Sequence, residues 1–200
     1  MLTYKDAWKV INFCEEQGYV TNKETLRLEV VRSKKEIKNH PDHIQEDLQR
    51  VGGVSTIDPR SLISTIYLYP QQVAENVKAH GHNSNVGTAV TVQLLLHEMR
   101  HHVQRTELRD YGWELQQDYQ LYHEHDRAND HWTEKDADAF STNLLYDHAT
   151  ELAKLLKVQE ERMQIYENRA HDAFPDFDRF KEQYQQIREK IIELNKQENA

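Results

Sequence analysis

Apolar residues recur at helical spacing over residues 4–17, at Ala7, Val10, Ile11 and Cys14, and Gly18 then offers a natural stop. Residues 25–30 alternate between apolar and polar types and read as a strand. The charged run 32–38 is expected to extend or end that strand as a solvated turn. Residues 41–51 read as a short helix opened by Pro41 and closed by Gly52-Gly53. The stretch 62–69 is rich in β-branched and aromatic residues, ends at Pro70, and is the clearest strand in the chain. Residues 71–78 follow as a short helix or loop. The polar turn around His80, Gly81 and His82 supplies caps for a long helix over 85–107, and a strong helix is expected over 131–157, with Phe140, Leu144, Leu145, Leu152, Leu155 and Leu156 as its apolar set. Beyond Pro175, Phe177, Phe180, Tyr184, Ile187, Ile191 and Leu194 form a stripe at alternating three and four spacing. That stripe is expected to pack on the domain, on a partner helix, or on a second copy of the chain.

The long central helix changes the picture, because its apolar run ends in His97-Glu98-Met99-Arg100-His101. Residues four apart on a helix sit one above the other, so His97 and His101 can reach one cation from the same face. Glu98 lies roughly 100° round from His97. It can contact a water on that metal without ligating the metal itself. Two neutral imidazoles holding Zn²⁺, with a neighbouring carboxylate to take a proton from water, is the chemistry this spacing serves. Val86, Val90 and Leu94 lead into His97 and His101 as one expected buried stripe. A lone histidine on such a stripe is usually an ordinary core residue; two of them flanking a glutamate are harder to dismiss.

Composition narrows the classes. The chain has 200 residues, enough for one domain plus a helical appendage. Its 12 histidines and 34 acidic residues make a chance motif a real concern, which a third ligand would reduce. A net charge of −9 argues against a general nucleic-acid or anionic-membrane surface. The single cysteine, Cys14, forms no internal disulfide, and no run approaches the length of a membrane span. The expected location is the cytoplasm.

A catalytic zinc usually has three protein ligands and one open position. One placement for the third is Glu107, six residues beyond His101. That arrangement needs a glycine to turn the chain back, and Gln104 stands where the glycine would be. The better candidate is the stretch Glu134-Lys135-Asp136-Ala137-Asp138-Ala139-Phe140. Glu134 and Asp138 share a helical face: Glu134 can complete the metal shell, and Asp138 can accept the outer ring N–H of a metal histidine. Asp136 is expected to point into solvent. Alone, this stretch would be an ordinary acidic helix start stabilised by the helix dipole.

Together, His97-Glu98-x-x-His101 and Glu134-x-x-x-Asp138 resemble the gluzincin metallopeptidases. The Ala137-Asp138-Ala139-Phe140 form also looks like the CAAX prenyl proteases, which are membrane proteins. The order of strand, motif helix and acidic helix is most similar to the ImmA/IrrE-type peptidases of phages and bacteria, over residues 62–145. This resemblance implies zinc bound by His97, His101 and Glu134, with Glu98 as general base. The chain as a whole is expected to be α+β and mainly helical: a zincin-like domain over 1–157, with a small sheet packed on the motif helix, and a C-terminal helical extension over 158–200, for which the resemblance offers no counterpart. Arg100 stands where such families often have a small residue, and with His102 it adds positive charge near the site.

The expected activity is zinc-dependent hydrolysis of a peptide bond in a specific protein, the peptide lying along the edge of the 62–69 strand. Candidates for the oxyanion donor are Tyr111, Tyr119, Tyr122, His123, His125 and His131. Two other classes stay open: a catalytically silent zinc-binding module that docks a partner, and a structural helical protein with an accidental motif.

Overall fold

The computed structural model describes residues 1–20, 22–58, 60–81, 86–109, 131–171 and 173, with isolated positions 189, 193 and 196. Helix α1 (Tyr4–Glu16) begins where Thr3 Oγ1 accepts the Asp6 N–H, and it buries Ala7, Val10, Ile11 and Cys14. Burial pushes the Cys14 thiol up to about 12, so this side chain stays protonated and packs as a small hydrophobe. Past Gly18, whose φ of +77° is one that residues with a side chain rarely adopt, the chain enters β1 (Leu26–Val30).

Three strands, β1, β2 (Gly53–Ile57) and β3 (Ser64–Leu68), form a sheet in the order β1-β3-β2. β1 runs parallel to β3 with Leu28 opposite Ile66, and β2 runs antiparallel to β3 with Ser55 opposite Ile66. The strand within the 62–69 run, β3, is therefore central. Both its edges are occupied, so the expectation of a peptide pairing along that edge is corrected: among the described residues the outer strands of the sheet are β1 and β2. β2 is an element the sequence pattern did not indicate. Gly52-Gly53 reads as a helix stop, yet both glycines serve close approach: a Cβ on Gly53 would lie 2.6 Å from Leu94 Cδ2, and one on Gly52 would lie 2.7 Å from Val73 Cγ2. One sheet face sends Leu26, Leu28, Ile66 and Leu68 into the main core. The other side is closed by Val31, Ile37, Ile44, Leu48 and Tyr69.

That second cluster explains another difference. The charged run expected as a solvated turn contains a short helix, α2 (Lys34–Ile37), started by Ser33 Oγ accepting the Glu36 N–H. Ile37 is fully buried and anchors it. Helices α3 (Asp42–Arg50) and α4 (Pro70–Ala79) follow, α4 with proline in its first turn.

Helix α5 (Gly87–Glu107) is the axis of the molecule and packs against β2, β3, α1, α4 and α6 (Trp132–Asp147). Its core stripe is Ala89, Val92, Leu96, Met99 and Val103. Val86, Val90, Leu94 and His97 are only half-buried. The expected buried stripe thus lies one face round from the core, which leaves His97 half-buried while His101 is buried. The helix expected over 131–157 is broken at His148, giving α6 and α7 (Ala149–Leu156). A tertiary contact accompanies the break: the Tyr19 hydroxyl lies 3.1 Å from His148 Nε2, and the His148 ring packs edge-on to Phe13.

Between Lys157 and Ala170 the chain keeps contact with the core. Met163 is fully buried, and the Asn143 side-chain amide accepts from Ala170 N–H and donates to Ala170 O. The apolar stripe 177–194 lies outside the described residues, as does 111–125. No helix among the described residues is long and apolar enough to cross a membrane.

Candidate metal centre

The side chains of His97 and His101 project from one face of α5, and Glu134 from the first turn of α6 meets them. Their ligand atoms all lie within 4.8 Å of one another, so this group could hold a metal ion. Glu134 Oε2 is 3.3 Å from His97 Nε2 and 3.4 Å from His101 Nε2, and the two Nε2 atoms are 3.0 Å apart. Glu107, the other candidate ligand, is not part of this group. α5 continues without a turn through Gln104 to Glu107 and carries that side chain away.

The outer ring nitrogens decide what points into the centre. His97 Nδ1 donates to Asp138 Oδ1 at 2.8 Å. His101 Nδ1 donates to Gln104 Oε1 at 2.8 Å. With both Nδ1 atoms protonated, each imidazole turns a bare Nε2 lone pair toward the other and toward a carboxylate oxygen. Three acceptors converging on one point need a cation among them. In the chain without metal, a proton fills that role. Burial works to lower His97, but hydrogen bonds to Asp138 and Glu134 and the nearby charge of Glu98 outweigh it and carry His97 up to about 10. Burial likewise works to raise Glu134, and the charges and hydrogen bonds of His101 and His97 outweigh it, holding its carboxyl well below the usual range.

Glu98 is 7% exposed and follows His97 directly on α5, outside the converging trio. Asp138 has a side chain 69% exposed, so its hold on His97 is reached from solvent. Asp136 departs from expectation. It is fully buried and accepts two hydrogen bonds from Arg100, at 2.8 and 3.0 Å. The Arg100 guanidinium, taken from sequence as free positive charge near the site, is thus neutralised by Asp136. It also stacks 4.6 Å over the Phe140 ring. A buried arginine–carboxylate pair across α5 and α6 fixes how the two ligand-bearing helices meet.

Gln104 is the residue that sequence reasoning passed over, having been weighed only as a missing glycine. Its Nε2 donates to Asp136 Oδ2 at 2.7 Å and to Thr133 O at 3.0 Å. A signal for it does exist: His97, Arg100, His101 and Gln104 recur at helical spacing, so they share one side of the helix.

Of the expected oxyanion donors, Tyr111, Tyr119, Tyr122, His123 and His125 lie outside the described residues. His131 is fully buried at the N-cap of α6, its Nδ1 bonded to Thr133. Burial, with the His101 charge adding and the Glu134 charge opposing, pushes it down to about 4 and keeps its ring neutral. No family model, curated protein or solved structure matches this chain.

Proposed function

We propose that this protein is a zinc-dependent endopeptidase of the gluzincin type, closest in plan to the ImmA/IrrE-type peptidases, acting on a specific protein substrate. The observation that carries the reading is the convergence of His97 Nε2, His101 Nε2 and Glu134 Oε2 on one point, with both imidazoles held from behind by a neighbour. A two-nitrogen, one-carboxylate donor set suits zinc and leaves a fourth position open. Bound there, zinc would supply a Lewis acid that polarises a carbonyl and lowers the pKa of a water.

The chain's own groups divide the remaining work. Glu98, next to His97 and shielded from bulk water, takes the proton of the attacking water and returns it to the leaving amine. Asp138 and Gln104 hold the outer imidazole nitrogens protonated, so that the inner nitrogens are the ones offered to the metal. The peptide is proposed to run along β2, the edge strand that packs on α5, where Arg105 donates to Ser55 O at 3.3 Å.

The test is zinc content and hydrolysis of a peptide library, for the native chain and Glu98→Gln. Near one zinc per chain in both, with hydrolysis lost only in Glu98→Gln, is expected. Full activity in Glu98→Gln would reject its role as base. Zinc without hydrolysis in the native chain would favour a silent zinc-binding interaction module, and no zinc at all would remove the centre.

A further inference from the structure

We infer that Arg100, Asp136 and Gln104 form a buried relay that sets the tautomer of His101, making Gln104 a positioning residue for the metal centre. The inference rests on the reading of His97, His101 and Glu134 as metal ligands, but not on any hydrolytic activity.

The argument is one of hydrogen-bond polarity. Arg100 has only donors, and it engages both carboxylate oxygens of Asp136. Both oxygens of Asp136 are therefore acceptors. Thr133 O, a backbone carbonyl, also accepts only. Gln104 places one end of its amide within 2.7 Å of Asp136 Oδ2 and 3.0 Å of Thr133 O. That end must be the NH₂ group, since the reverse orientation would bury an oxygen against two acceptors. The amide oxygen then faces His101, 2.8 Å from Nδ1, and an acceptor there demands a protonated Nδ1. The lone pair of His101 is left on Nε2, the atom that points at His97 and Glu134.

Burial makes this polarity hard to reverse. Arg100 is 6% exposed, Asp136 0%, Gln104 3% and His101 9%, so water cannot readily replace a mismatched partner. His97 is arranged differently, with its outer nitrogen on the exposed carboxylate of Asp138. The two imidazoles are thus oriented by two unlike devices. Asp138 acts directly as an anion, whereas Gln104 hands on the polarity of a buried ion pair without bringing a further charge against His101.

The experiment is nitrogen-15 NMR of the imidazole rings in the full chain, metal-free and zinc-loaded, with zinc affinity from chelator competition. The native chain should show His101 protonated at Nδ1 without metal as well as with it. Gln104→Met, close in length but unable to hydrogen-bond in the same way, should admit the Nε2-protonated form and weaken zinc binding by about 10–100-fold. A merely structural role for Gln104 would not move the tautomer. Nε2 protonation in the native metal-free chain, or an unchanged tautomer or unchanged zinc affinity in Gln104→Met, would overturn the relay. Should Gln104→Met fail to fold, the native spectrum decides alone. Should the native chain bind no zinc, the metal reading fails, while the metal-free spectra still decide the relay.

Discussion

Asp138 Oδ1 lies 2.8 Å from His97 Nδ1, joining residues 41 positions apart in sequence and standing on different helices. The Asp138 side chain is largely exposed and makes no contribution to the core, so its removal should leave the fold intact. Asp138→Ala is expected to weaken zinc binding by about 10–100-fold, as loss of an imidazole-orienting carboxylate does. Chelator competition measures the affinity, and an unchanged melting temperature of the metal-free chain would show that the loss is local.

Metal and proton compete for the same point. His97 is carried up to about 10 in the metal-free chain, so zinc must displace a proton, and its affinity should climb with pH until that value is passed. Without metal the signs are fixed. The His97 contribution to stability is complete below the ordinary value of 6.5 and is lost as pH rises through about 10. The Glu134 contribution is complete above its ordinary 4.5 and is lost as pH falls. Chelation at neutral pH should lower the melting temperature, since zinc at roughly a hundred times its Kd adds about 2.7 kcal/mol. A melting temperature indifferent to both zinc and chelator would count against the centre.

His131 makes the chain sensitive to mild acid. Its folded value is depressed from 6.5 to about 4, so the unfolded state takes up a proton first as pH falls. The stability it contributes is complete above 6.5 and drains away as pH falls toward 4, amounting to about 3 kcal/mol for this fully buried ring. His131→Asn keeps a side-chain oxygen to cap α6 but does not titrate. Its melting temperature should show a smaller acid decline than the native chain across that interval, read by circular dichroism.

Arg100 and Asp136 are both buried, and deleting one removes the opposite charge that meets the other. Arg100→Leu is expected to cost about 3–5 kcal/mol, the usual penalty for breaking a buried ion pair by removing one partner. Because Asp136 also holds Gln104, zinc affinity should fall with stability in this variant. Denaturant titration and chelator competition on the same preparation would reveal whether the two losses travel together.

How much of this was legible in the sequence follows from the range of each signal. α1, β1, α3 and α5 are local patterns, so the spacing of Ala7, Val10, Ile11 and Cys14 or the alternation in 25–30 indicated them nearly to the residue. β2 was hidden because its first residue is a glycine chosen for the approach of Leu94, a contact from another element. The break at His148 was hidden because Tyr19 and Phe13, far off in sequence, hold that ring. Asp136 looked like a solvated acid because its partner Arg100 lies on a different helix.

The same division holds for the candidate centre. Spacing along one helix fixes that His97 and His101 can act together and that Glu98 stands aside from them, because the helical repeat is a property of the backbone alone. Whether Glu134 arrives at the same point, whether Asp138 or Asp136 faces an imidazole, and which way the amide of Gln104 turns depend on how α6 docks against α5. That docking is settled by a buried ion pair and a shared core, interactions between segments that no single window of sequence contains.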